Sequence, residues 1–325
     1  MTTETELASS QASYTAGMNM LRASRSMREW TEATRLIEDA SAAGIAEASE
    51  RCAIFHCMGV ARPVNWERAF DLLTLSAEQG SSRAGRQLAM LAERSGARQA
   101  EPDNWAAFRS ALSLERILSA PPVQLVSVCP RIGVVEGFAT PEECSWLIES
   151  AQGNLLPATI YDSGNASLRP DGQRTNRTAE CNPLTVGIIA EVIRARLSRC
   201  IGLALANYEL SQVLHYSVGQ EFKPHHDYFD PAKEGFQKEI STRGQRVATQ
   251  LIYLNEEYEG GVTQFPSIGI DYRGKTGDAL MFFNINESGD PEPLTLHTGL
   301  PPTSGEKWIF SQWIRDRRPA QAPQP

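Results

Sequence analysis

The stretch LHYSVGQEFKPHHDYFD, residues 214–230, decides how this chain is read. It sets His225 and Asp227 two positions apart in a segment with strand character. On a strand, positions i and i+2 point to the same face, so an imidazole and a carboxylate converge. Such a pair is the start of a two-histidine, one-carboxylate facial triad, the donor set of non-haem iron(II). The third ligand should come from far downstream, on another strand. The chain has five histidines, His56, His215, His225, His226 and His297. His56 falls in a helical N-terminal region, and His215 has the wrong parity relative to Tyr216. His226 has the opposite parity to His225 and would pair with Tyr228 rather than a carboxylate. His297, in LTLHTG, is the best remaining candidate. The triad would leave three metal positions for a bidentate 2-oxo acid and O2.

An HxD pair alone also occurs in surface turns, so the spacing that follows matters. LHTGLPPTSGEKWIFSQWI, residues 296–314, reads as a strand, a Pro/Gly turn and a second strand. That hairpin would set the two strands side by side and carry Lys307 across from His297. Lysine is a point charge with three donors, suited to anchoring the far carboxylate of a dicarboxylic 2-oxo acid. Lys307, Ile309, Ser311 and Trp313 alternate onto one face, which makes the lysine inward-facing.

Five phrases stand in order: LHYSVGQEFKPHHDYFDP, GQRVATQLIYLN, GGVTQFP, GDALMFFN and LHTGLPPTSGEKW. From about Pro130 to Arg317 the chain resembles the prolyl 4-hydroxylase family of iron(II)/2-oxoglutarate dioxygenases. The resemblance implies a double-stranded β-helix, or jelly roll, with the metal between two sheets. It makes His225, Asp227 and His297 the iron ligands. Lys307 would pair with the C5 carboxylate of 2-oxoglutarate, and Tyr216 and Thr263 would hydrogen-bond the same molecule. Arg246 and Trp313 would lie on the substrate side, and Arg174-Thr175-Asn176 resembles the family's Arg-Thr-Ser stretch near the entrance. The cofactors implied are Fe(II), with 2-oxoglutarate and O2 as cosubstrates and ascorbate as reductant. Two positions depart from the pattern. Phe222 replaces the common tyrosine three residues before the ligand histidine, which removes a hydroxyl near the substrate. Val262 replaces the frequent glutamate of GGET.

The first hundred residues repeat when displaced by 36 positions: Trp30 falls on Trp66, Ala33 on Ala69, Leu36 on Leu72 and Gly44 on Gly80. Small and apolar residues at helical spacing, with a glycine between, are what helix–turn–helix units need. The phrase AFDLLTLSAEQGSSRAGRQLAMLA resembles a Sel-one-like repeat. The fold class expected is therefore α+β and multidomain, with helical repeats followed by a jelly roll and flanking helices. The divisions are a polar, helical segment at 1–25, repeats at 26–98, a one-helix junction at 99–126, the dioxygenase domain at 127–317 and a disordered tail at 318–325. The helical part should be separable near residues 100–120. Strands are expected at Arg131–Val135, Glu209–Tyr216, Val247–Leu254, Asp278–Phe283, Leu294–Thr298 and Lys307–Ile314. Helices are expected at Trp105–Leu118, Thr140–Gln152 and Leu184–Leu203, and the polar stretch Pro231–Gln245 reads as a mobile lid.

The net charge of −8 makes nucleic acid a poor partner. No basic-then-apolar leader opens the chain, and the most apolar run, Ala279–Ile285, is too short to span a bilayer. Six cysteines without a CxxC pair read as free thiols, and the protein is expected in the cytoplasm without a membrane partner. Helical repeats of this kind favour a proline-containing protein or peptide as substrate. Three alternatives stand beside that reading: a hydroxylase of a free amino acid or small metabolite, a jelly-roll metal enzyme that does not use 2-oxoglutarate, and a non-catalytic repeat scaffold with a relic dioxygenase domain.

Overall fold

The computed structural model describes residues 4–23, 26–97, 104–162, 167–169 and 171–318. Most of the expected tail at 318–325, and much of the polar part of the junction, lie outside those residues. The described chain divides into two compact units.

The first unit runs through Ser119 and takes in Pro183–Arg196 as well. Helices Met27–Ala42 and Ala46–Met58 form one antiparallel pair, and Trp66–Glu78 and Ser82–Arg94 form the next. The pairs reproduce the 36-residue displacement seen in the sequence. Gly44 and Gly80 end the leading helix of each pair at φ of 95° and 97°, a conformation that costs glycine little. Ala33, Ala48, Ala69 and Ala84 are fully buried, which allows close helix approach. The helix expected over Trp105–Leu118 is instead two short ones, Trp105–Ala111 and Leu114–Ile117. Ser113 accounts for the break, because its side chain accepts from Arg116 N and so caps a new helix. The helix expected over Leu184–Leu203 is also divided, into Pro183–Val186 and Ile188–Ile201, at Gly187 with φ 85°.

The stretch Pro183–Arg196 is tied into this unit by side chains. Gln87 Oε1 accepts from Ile188 N at 2.8 Å while its Nε2 donates to Glu50 Oε1 at 2.7 Å. Arg83 donates to the Thr185 carbonyl. Arg196, fully buried, donates twice to the Ile117 carbonyl, at 3.1 and 3.0 Å. Deleting residues 1–119 would take these partners from Arg196 and from the start of Ile188–Ile201 and open buried side chains such as Ile188 and Ile189 to water. Lost buried hydrogen bonds cost about 1–3 kcal/mol each, so the shortened chain should melt roughly 10 °C lower or fail to stay soluble. Thermal melts of full-length and truncated chains check this, and equal stability would contradict it.

The second unit holds an antiparallel sheet of eight strands facing one of four. The larger sheet runs in the order Gln124–Ser127, Ile132–Val135, Ala279–Phe283, Arg246–Tyr253, Lys307–Arg315, Gln212–Tyr216, Arg177–Glu180 and Leu156–Pro157. The smaller runs Ile270–Tyr272, Thr263–Phe265, His297–Gly299 and Phe222–His225. This is the jelly-roll layering expected. Its apolar core includes Ile132, Leu214, Tyr253, Phe265, Phe282 and Ile309. The helix Pro141–Gln152 begins at a capping box in which Thr140 and Glu143 satisfy one another's backbone N–H. The hairpin expected between His297 and Lys307 does not form. The two strands lie in opposite sheets, and the intervening Pro302–Gly305 pairs with Tyr258–Gly260. The seven residues 300–306, with two prolines and a glycine, span an arch between sheets here rather than a tight turn within one.

Among the described residues no cysteine is in a disulfide. No helix among the described residues is long and apolar enough to cross a membrane.

Candidate metal centre

The strand Phe222–His225 pairs with His297–Gly299 so that His225 stands directly opposite His297. The two rings are 4.2 Å apart between centroids. Asp227 sits two residues past His225, in a bend just beyond the strand end rather than on it. Its carboxylate still converges with both rings: His225 Nε2 is 3.7 Å from Oδ1 and His297 Nε2 is 3.7 Å from Oδ2. Among the described residues these three are the one cluster of ligating side chains close enough to share an ion, with donor atoms within 4.8 Å of each other.

Backbone geometry fixes which ring nitrogens face inward. His225 Nδ1 lies 2.8 Å from the Lys223 carbonyl and His297 Nδ1 lies 3.0 Å from the Thr295 carbonyl. A carbonyl only accepts, so each Nδ1 carries the proton and each Nε2 lone pair is left for a metal. Burial, then the neighbouring His297, pushes the His225 pKa well below its ordinary value, which keeps the ring neutral. Burial alone would raise Asp227, but His297, His225 and Arg246 outweigh it and hold the carboxyl below its usual range. Two neutral imidazoles and one carboxylate on one side fit a divalent iron.

A cavity opens from this cluster between the sheets. Lys307, Ile309, Ser311 and Trp313 all line it, as their alternation requires. Lys307 is 2% exposed and stands opposite Tyr216 in the strand register. Its Nζ is 3.5 Å from Thr263 Oγ1 and sits over the rings of Tyr216 and Tyr253, at 5.4 and 5.6 Å from their centroids. No carboxylate of the described residues pairs with it, and burial brings its pKa down to about 7. Thr263 Oγ1 also accepts from Tyr253 Oη at 2.7 Å. With its lone pairs facing Lys307 and Tyr253, the Thr263 hydroxyl hydrogen is free to donate.

The expected substrate-side residues gather around a wider cleft of about 760 Å³ that meets the metal cluster at His225 and Asp227. Arg174, Phe222, Arg246 and Trp313 all line it. Phe222 stacks flat on His225, 3.4 Å between centroids, and the Arg174 guanidinium lies 4.8 Å from the Phe222 ring. Arg174 donates to Asn176 Oδ1 and the Thr159 carbonyl, while its Nη2 is buried without a partner. Trp313 Nε1 is likewise buried and unpartnered. Arg246 lies 3.9 Å over the Trp313 ring and is already engaged, in a two-pronged pair with Glu209 at 2.8 and 2.9 Å. Burial opposes ionisation of Glu209, yet Arg246 and Arg315 hold it at about 2.

His226 turns from the metal cluster and meets the Pro293 carbonyl at 3.0 Å, while His215 packs against Trp308. The segment expected as a mobile lid borders the cleft and carries a helix, Glu234–Arg243. Glu239 accepts from buried Arg315 at 2.8 Å and Phe236 packs on Phe229, so its inner face is anchored.

Three participants escape a reading by motif. Tyr253 supports Thr263. Thr249 Oγ1 donates to Asp227 Oδ2 at 2.7 Å, and Asn284 Nδ2 donates to Thr249 Oγ1 at 3.0 Å. The available signal was a threonine inside the largely apolar run VATQLIY, where a buried hydroxyl needs a partner.

Known proteins are similar to this chain in sequence. A model of the 2OG-Fe(II) oxygenase superfamily matches residues 211–315. "Probable prolyl 4-hydroxylase 9" of Arabidopsis thaliana is 30% identical over 221 residues, spanning 62% of this chain and 75% of that protein. "Prolyl 4-hydroxylase 1" of the same plant is 34% identical over 227 residues, spanning 66% and 78%. Among solved structures, the 2OG complex of the viral collagen prolyl hydroxylase of Paramecium Bursaria Chlorella virus-1 is 27% identical, covers 57% of this chain and 95% of that one, and gives a TM-score of 0.45. Similarity of this extent to proteins so named, over a jelly roll with a two-histidine, one-carboxylate cluster, places the chain among the enzymes: it belongs to the prolyl 4-hydroxylase family of iron(II)- and 2-oxoglutarate-dependent oxygenases.

Proposed function

We propose that this enzyme hydroxylates a prolyl residue within a protein or peptide, with iron(II) held by His225, Asp227 and His297. The observation that carries the reading is a buried ammonium, Lys307, without an anion, in the same cavity as a ligand cluster with free Nε2 lone pairs. An unpaired buried charge is costly, and a dicarboxylate reaching from the metal would relieve it. When bound, iron and 2-oxoglutarate supply the oxidising chemistry, in which decarboxylation to succinate and CO2 is coupled to C–H hydroxylation.

The chain's own part is to bind, orient and exclude water. Lys307 supplies the charge for the far carboxylate, and the Thr263 hydroxyl and Tyr216 supply neutral hydrogen bonds. Ile309, Leu214 and Leu251 line the rest of that cavity and keep it apolar. On the cleft side, Arg174 Nη2 and Trp313 Nε1 present two buried donors with no acceptor. Carbonyl or carboxylate oxygens of a bound substrate suit them. Arg246, fixed by Glu209, holds the Trp313 ring in place. Phe222 gives the substrate an apolar wall against His225. Ascorbate would act as the reductant that keeps the iron ferrous.

The test supplies the full chain with Fe(II), 2-oxoglutarate and ascorbate, and offers proline-rich peptides and free L-proline in parallel. Mass spectrometry should show one added oxygen on the peptide together with succinate. Turnover of free proline alone would overturn the peptide reading.

A further inference from the structure

Asp227 is reached from the larger sheet by two hydrogen bonds in series. Thr249, in the strand Arg246–Tyr253, donates to Asp227 Oδ2, and Asn284, just past the strand Ala279–Phe283, donates to Thr249. Asp227, Thr249 and Asn284 are 6%, 1% and 0% exposed, so water does not substitute for either bond. Asn284 is itself fixed by its backbone, which donates to the Val247 carbonyl at 2.9 Å and accepts from Glu292 N at 2.9 Å. The direction of the series follows from chemistry. An ionised carboxylate only accepts, so the Thr249 hydrogen must point to Asp227. The lone pairs of Thr249 then face Asn284, which must present its NH2. Its Oδ1 is buried without a donor, the cost of that orientation.

We propose that Thr249 and Asn284 are positioning residues that hold Asp227 to a single metal bond, through Oδ1, by occupying Oδ2; this rests on Asp227 being a metal ligand. The reaction supplies the reason. An octahedral ion with three protein donor atoms keeps three positions, two for a chelating 2-oxo acid and one for O2. A carboxylate that chelated through both oxygens would take one of them. The Thr249 bond engages Oδ2, which also lies 3.7 Å from His297 Nε2, and the Asn284 bond prevents the hydroxyl from turning away. Partners that orient a metal ligand in this manner typically change metal affinity when removed.

The test uses the full chain with Co²⁺ as probe, titrated by calorimetry and visible absorption, followed by 2-oxoglutarate added to the cobalt-loaded protein. Thr249→Val keeps the shape and removes the donor. It should shift Co²⁺ affinity about 10- to 100-fold, alter the cobalt spectrum and weaken 2-oxoglutarate binding to the loaded protein. Thr249→Ser should restore all three, which a packing role alone would not. Asn284→Ala should shift the same readouts in the same direction by a smaller amount. Wild-type affinity and spectrum in Thr249→Val, with Co²⁺ binding lost in Asp227→Ala, would overturn the relay and leave the triad standing. Wild-type binding in Asp227→Ala would overturn the triad and the relay with it. Should Thr249→Val not fold, Asn284→Ala decides alone, and an unchanged spectrum and affinity there overturn the proposal.

Discussion

Asp227→Ala is expected to reduce turnover by at least ~10³-fold, a barrier increase of roughly 4 kcal/mol or more, while the chain remains folded. The carboxylate is the one anionic donor between His225 and His297, which lie 3.7 Å from its two oxygens. Both rings keep their backbone carbonyl partners in the variant, so the histidines stay oriented but the ion loses its charge partner. His225→Ala should match it. The check is succinate release alongside circular dichroism. Full activity in a folded variant would remove Asp227 from the ligand set.

Lys307→Met is expected to weaken 2-oxoglutarate binding by about ten- to a hundred-fold, the size of one charge-assisted hydrogen bond of ~1.5–3 kcal/mol. Metal binding should change little, because the ammonium meets Thr263 and two tyrosine rings rather than the ligand cluster. The pH dependence has a definite sign. With burial bringing Lys307 to about 7, the ammonium is in place below that pH before the cosubstrate arrives. Above it, binding must draw a proton from solvent, so affinity falls by up to ~tenfold per pH unit. Calorimetry at pH 8 in buffers of different ionisation heat should register proton uptake.

The same group predicts a stability effect. Its folded pKa lies below the ordinary 10.5, so the unfolded chain holds more protons between the two values. The ligand-free fold therefore carries a penalty that is full below about pH 7 and fades as pH rises toward 10.5. Lys307→Met should raise the melting temperature without 2-oxoglutarate at pH 6, and less so at pH 9. Equal 2-oxoglutarate affinity in wild type and variant would mean the cosubstrate is anchored elsewhere.

The ligand cluster was legible because the HxD pair is local and few histidines remain to complete it. The parity of Lys307, Ile309, Ser311 and Trp313 follows from strand geometry, and the HxD pair converges although Asp227 lies in a bend past the strand end; all of these residues line one cavity. The helical repeat was legible because a displacement of 36 positions preserves both helix faces and the glycine turns. What was not legible depends on which sheet a strand joins. His297 and Lys307 read as neighbours in a hairpin, yet they face each other from opposite sheets, since the pairing of Pro302–Gly305 with Tyr258–Gly260 is set by residues over forty positions away. The same limit hid Thr249 and Asn284, whose role appears only when two strands of the larger sheet bring them against Asp227. Pro183–Arg196 read as part of the catalytic half because it follows that half in sequence. Its partners Gln87, Arg83 and Ile117 lie in the helical unit.

The central claim is that this cavity couples O2 to 2-oxoglutarate on a metal held by His225, Asp227 and His297. The most direct measurement gives the full chain Fe(II), 2-oxoglutarate, a proline-rich peptide and isotopically heavy O2, then weighs the succinate and the peptide. One heavy oxygen atom should appear in succinate and one in the hydroxylated peptide, with neither product formed by Asp227→Ala. Succinate carrying no heavy oxygen, or none formed at all by folded, iron-loaded wild type, would contradict the account.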